Sequence, residues 1–191
     1  MADKFTKSTS NARTQKVGLG LLLGDPRFQE VDLATKRAIL EQLVPLGDYG
    51  PQSFDCVMTP DPVETLTAEN VRPHLATLRL IEMKTTRKPI RNAALNQFFF
   101  GATAREFDLA QALGDRFLFA FVVLNTANEF GRPFAVLLTY DQVVERTRTK
   151  RVQFQVNFRS DTDPGTSHHE LVILDPEILR PATGESGSRG V

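Results

Sequence analysis

The sequence predicts an α/β fold, a central mixed β-sheet flanked by helices, and three observations carry that expectation. Apolar residues recur at helical intervals over 31–44. Residues 117–124 are continuously apolar, as in a strand covered on both faces. Helical and strand patterns then follow one another as helix, strands, helix, strands along the chain. A length of 191 residues, 41% apolar and 24% charged, fits one globular domain and excludes extended disorder, a coiled coil or a collagen-like repeat.

Taken in order, residues 1–16 are polar and read as a flexible N-terminal arm. The run 17–23 contains two glycines and reads as a strand or turn packed on the domain, which is expected to extend over 17–180. In 31–44, Val31, Leu33, Ala34, Ala38, Ile39, Leu40 and Leu43 recur at helical intervals, and the helix should stop near 45–47, where Pro45 disfavours helical geometry in the residue before it. Residues 54–58 form a short strand candidate, closed by the two prolines around Asp61. Residues 77–84 form a second, with Leu78, Leu80, Glu82 and Lys84 on one face. A helix over 104–113 has a capping box in Thr103 and Glu106 and a stop in Gly114. Beyond it come strands at 117–124 and 134–138, a short helix at 141–146 and an alternating strand at 152–158. A short strand over 171–174 precedes a disordered tail at 181–191, which has nothing to bury.

Charge and cysteine content narrow the function classes. The 23 basic and 23 acidic residues cancel, so binding of nucleic acid by bulk charge alone is not expected. A single cysteine, Cys56, excludes an intrachain disulfide and a cysteine-based zinc site, and fits a reducing cytoplasm. No run approaches the roughly 20 apolar residues of a membrane span, so a membrane partner is not expected.

One constellation carries chemistry: Asp55 opening a short strand, Glu82 inside the next, and Lys84 two residues later. Alternation puts Glu82 and Lys84 on one face, about 6.6–6.8 Å apart along the strand. A carboxylate on the neighbouring strand would complete a cluster of two acids and one amine. Two carboxylates suit Mg²⁺, which takes oxygen ligands and keeps several waters. Such an ion polarises a phosphodiester oxygen and lowers the pKa of a bound water, while an adjacent lysine stabilises charge developing on the phosphate.

Asp55 with Glu82-Met83-Lys84 resembles the PD-(D/E)XK motif of the restriction-endonuclease-like nuclease superfamily. The apolar pair Leu80-Ile81 before the acid, and the helix–strand–strand–helix–strand order over 31–124, are similar to that family's core. The resemblance implies a restriction-endonuclease-like core and a Mg²⁺-dependent endonuclease, with Mn²⁺ as a substitute, acting on DNA in restriction, defence or repair. In it Asp55 and Glu82 bind metal and Lys84 assists the attacking water. It further implies a homodimer or a subunit of a larger defence complex. The alternative is a non-catalytic nucleic-acid-binding or assembly subunit that keeps the fold.

Several residues remain to be weighed. Asp61 follows Pro60 and matches the family's letters, but it sits between prolines where a turn is expected; Asp55 continues into a strand and is preferred. Glu41, and less so Glu30, could supply a further acid from the first helix, although a solvated helix face explains both. Glu106 could reach the site but reads first as a helix cap. Cys56 alternates away from Asp55 and reads as a small buried side chain. His74 stands alone, and the adjacent His168 and His169 point to opposite faces of a strand, which disfavours a shared ion. Arg87, Lys88 and Arg91, in a stretch without acids from 83 to 105, are the candidates for phosphate contact. Arg146, Arg148, Lys150 and Arg151 form a second basic stretch.

Overall fold

The computed structural model describes residues 3–45 and 47–147, with side chains from residue 12 onward. The elements are α1 (Asp3–Leu22), β1 (Phe28–Gln29), α2 (Leu33–Leu43), β2 (Cys56–Met58), β3 (Arg79–Thr86), α3 (Ala104–Leu113), β4 (Phe117–Val123), β5 (Phe134–Thr139) and α4 (Tyr140–Arg146). The five strands form one mixed sheet in the order β1-β2-β3-β4-β5. Only β3 and β4 pair in parallel; the other neighbours are antiparallel. A parallel pair requires a crossover, and α3 with its long approach loop supplies it.

Strand alternation divides the core in two. On one face Val57, Leu80, Phe117, Phe119, Phe121 and Leu138 pack against Ile39 and Leu40 of α2, Leu109 and Ala110 of α3, and Val143 of α4. On the other, Cys56, Met58, Ile81, Met83, Leu118, Ala120 and Val122 pack with Leu22 of α1 and Phe28. All of β4 is buried, as its unbroken apolar run requires. The helices start where their sequence allows. Asp32 caps α2 by accepting from the Thr35 amide, and Thr103 and Glu106 form the capping box of α3.

The main departure from the sequence expectation is at the start of the chain. Residues 17–22, expected as a strand or turn behind a flexible arm, belong to the twenty-residue helix α1. Its glycines are poor helix formers, but burial against β3 overrides propensity. Gly18 and Leu22 lie one turn apart on the buried side, and Gly18 sits directly on the strand. The two-residue strand β1 is an addition to the expected elements; it makes two pairs to β2, and the Gln29 side chain ties it to residues 63–66. The expected strands at 152–158 and 171–174, the tail at 181–191 and the far part of the 17–180 domain lie outside the described residues. Among the described residues, no helix is long and apolar enough to cross a membrane.

The two α1 glycines should respond oppositely to substitution. A Cβ on Gly18 would meet Thr85 Oγ1 at 2.8 Å and Met83 Sδ at 3.2 Å, whereas one on Gly20 meets nothing within 4 Å. Gly18→Val should therefore destabilise by about 1–3 kcal/mol through overpacking. Gly20→Ala should stabilise by about 0.5–1 kcal/mol through helix propensity. Urea-denaturation midpoints of the two variants check both signs.

Candidate active site

The β2–β3 pairing sets the geometry. Cys56 pairs with Ile81 and Val57 with Leu80, so Asp55 stands opposite Glu82 one step further along. The Asp55 amide donates to the Ile81 carbonyl at 2.8 Å, continuing the ladder beyond the strand's end. The Met83 amide then donates to Asp55 Oδ2 at 2.7 Å. Asp55 is thereby fixed beside the acid it was expected to join.

Glu82 and Lys84 project from the same face of β3 as buried Leu80, under α3. Lys84 Nζ donates to Glu82 Oε1 at 2.7 Å and to Glu106 Oε2 at 3.0 Å. The same Glu106 oxygen accepts from the Thr103 amide at 2.8 Å, so the capping box of α3 also anchors the lysine. Glu82 is only 6% exposed, a rare degree of burial for a carboxylate.

Burial sets the electrostatics. It pushes Glu82 up to about 8, helped by the Asp55 charge and opposed by Lys84. The ion pair alone would favour ionisation of Glu82, but desolvation and the second carboxylate outweigh it. Asp55 is raised in the same direction by burial, against the Met83 hydrogen bond and the Lys36 and Lys84 charges. Burial works against the Lys84 ammonium, yet Glu82 and Glu106 outweigh it and hold Lys84 above the ordinary lysine value. Cys56, buried on the opposite face, is pushed up to about 12 chiefly by desolvation, and so stays a protonated thiol rather than a nucleophile.

Lys36 was not among the residues singled out from the sequence. Its Nζ donates to the Phe54 carbonyl at 2.7 Å and lies 4.9 Å from the centre of the Phe54 ring. This places a cation next to Asp55. The signal was available, because residues 36, 39, 40 and 43 share helical spacing and Lys36 falls on the inward side of α2. Glu106 is the helix cap that its spacing predicts; its second bond to Lys84 depends on how α3 lies over β3, which spacing does not reveal.

The remaining candidates lie outside the buried cluster. Asp61 is exposed in the bend after β2, and Glu41 and Glu30 are exposed at and before α2. Arg87, Lys88 and Arg91 are exposed just past the end of β3. His74 lies in a short 3-10 turn. Arg146 is exposed, whereas Arg148, Lys150, Arg151, His168 and His169 fall outside the described residues.

Among the described residues, no group of three or more His, Cys, Asp or Glu side chains is arranged to hold a metal ion. The pair Asp55 and Glu82 does fit a hard divalent cation of the Mg²⁺ type, which is commonly held by one or two carboxylates and otherwise by water. A buried and a half-buried carboxylate on paired strand positions, both raised in pKa, are an arrangement that a divalent charge relieves. No family model, curated protein or solved structure matches this chain.

The raised Glu82 has a consequence for stability. Between about pH 4.5 and 8 the folded protein keeps a proton that the unfolded chain has lost. Stability is therefore full below this window and falls as pH rises through it. Asp55 adds to the fall with the same sign. Urea midpoints measured across the window, without divalent cations, should decline for wild type and decline less steeply for Glu82→Gln. An equal slope in both proteins would place the titration elsewhere.

Proposed function

We propose that the protein is a divalent-metal-dependent nuclease of the restriction-endonuclease-like kind, acting on DNA. The observation that carries this reading is the convergence of Asp55, Glu82 and Lys84 on one face of β2 and β3, with both acids desolvated. Asp55 and Glu82 would hold Mg²⁺ or Mn²⁺. Such an ion supplies polarisation of a phosphodiester oxygen and a bound water of lowered pKa.

The chain's own residues do the rest. Lys84, kept protonated by its two carboxylate neighbours, offers an ammonium to the attacking water or to the negative charge that grows on the phosphate. Glu106 positions that ammonium from a helix start that is itself capped, so the lysine has little freedom to swing away. Lys36 favours the ionised form of Asp55, which a metal ligand requires. Arg87, Lys88 and Arg91, exposed at the end of the same strand, suit contacts to flanking phosphates.

A second reading draws on the same network. Lys84 is already satisfied by two carboxylates, and the chain's net charge is zero. Both fit a nucleic-acid-binding or assembly module in which the cluster only fixes α3 on the sheet. Nicking of supercoiled plasmid in Mg²⁺ or Mn²⁺ separates the two. The nuclease reading expects wild type to nick, and Glu82→Gln and Lys84→Ala to fall by about 10²–10³-fold while remaining folded. Glu106→Gln keeps the helix cap and withdraws one charge from Lys84, so its loss should be smaller. Nicking that survives in folded Glu82→Gln would remove Glu82 from the chemistry.

A further inference from the structure

The loop over 87–103, between β3 and α3, has no regular structure of its own, yet it is firmly attached. Phe98 and Phe100 set their rings edge-on against Phe121, with centroids 5.2 and 4.9 Å away. Phe121 is the β4 residue paired with Lys84 across the parallel ladder. The two rings thus clamp the loop beside the proposed catalytic lysine. Between them Phe99 points the other way and is 81% exposed, the highest exposure among the large apolar side chains described.

The backbone leading to this ring is unusual. Leu95 and Gln97 both have positive φ, 59° and 69°, a left-handed conformation that residues other than glycine adopt rarely. Leu95 packs into the core below, and its carbonyl accepts from the Phe98 amide at 2.9 Å. The strained approach is held by packing on both sides of the exposed ring, a pattern found at ligand-contacting loops.

The loop itself is cationic, and the acid nearest to it in the neighbouring loop is the exposed Glu129 beside Arg91. From 83 to 105 the chain carries no acid, while Arg87, Lys88 and Arg91 are exposed. The Arg91 carbonyl accepts from the Glu129 amide at 2.9 Å, which brings the neighbouring 125–131 loop and its half-exposed Phe130 alongside. An exposed ring on a fixed loop that also carries three exposed cations has the chemistry of a stacking platform for a single strand. Cations follow the phosphates and the ring takes the face of a base. A fully paired duplex offers no base face along its length.

We infer that the 87–103 loop binds unpaired nucleotides, with Phe99 stacking on a base, so that the preferred substrate is single-stranded or locally unpaired next to the scissile phosphate. This inference rests on the nuclease reading for its substrate, but it is testable without cleavage. The protein contains no tryptophan, so Phe99→Trp places a single reporter on the full chain. With chelator present, single-stranded oligothymidylate should quench its emission, and the same strand carrying abasic sites should not. Phe99→Ala should bind oligothymidylate about tenfold more weakly and the abasic strand unchanged.

Equal quenching by the abasic strand, or unchanged oligothymidylate affinity in Phe99→Ala, would overturn the inference. So would emission that shifts with protein concentration in the absence of nucleic acid, because Phe99 would then be covering a second copy of the chain. If wild type nicks plasmid while the reporter is silent, only the stacking inference falls. If the reporter responds but neither plasmid nor single-stranded DNA is cut in Mg²⁺ or Mn²⁺, the strand-binding surface stands and the nuclease reading falls.

Discussion

The constraint on which the rest depends is the confinement of two carboxylates and an ammonium beneath α3, on a sheet face that is otherwise apolar. A buried carboxylate is costly unless it is paired, hydrogen-bonded or neutralised. Remedies of each kind are present here: Lys84 pairs with Glu106 and donates to Glu82, the Met83 amide serves Asp55, and burial raises Glu82 well above its ordinary range so that it keeps a proton at neutral pH. A purely structural core has little reason to keep such a group where leucine would pack without cost. On the proposed function, the cluster is a charge arrangement that a bound cation would complete.

The fold serves that arrangement through its sheet. The antiparallel β2–β3 pair brings Asp55 opposite Glu82, and the parallel β3–β4 pair forces the chain to cross over the charged face before it returns. That crossover delivers α3, whose capped start supplies Glu106, and the 87–103 loop with its exposed ring. On the other face α1 approaches β3 closely at Gly18, leaving the opposite side of the same strand to the charged groups. One strand thus organises a tightly packed face and a charged one.

Much of this was legible in the sequence because it rests on local rules. Alternation placed Glu82 and Lys84 together and sent Cys56 away from Asp55; the Thr103–Glu106 spacing announced the start of α3; the unbroken run 117–124 announced a strand covered on both sides. What escaped depends on tertiary placement. The α1 glycines argue locally against helix, and only contact with β3 reverses that preference. Lys36 sat on the inward side of a helix whose partner was unknown. Glu106 satisfied its local role so fully that its second partner, twenty-two residues away on β3, gave no further signal. Register is tertiary in the same way: the pairing puts Asp55 opposite Glu82, and Asp61 is exposed in the bend beyond β2.

Calorimetric titration of the full chain with Mn²⁺ at neutral pH asks whether Asp55 and Glu82 form a divalent-cation site. Binding releases the proton that burial holds on Glu82, so the measured heat should vary with the ionisation enthalpy of the buffer. Saturable binding with proton release is expected in wild type, and loss of both in Asp55→Asn and in Glu82→Gln. Absence of binding by wild type, or binding that persists unchanged in both variants, would contradict it.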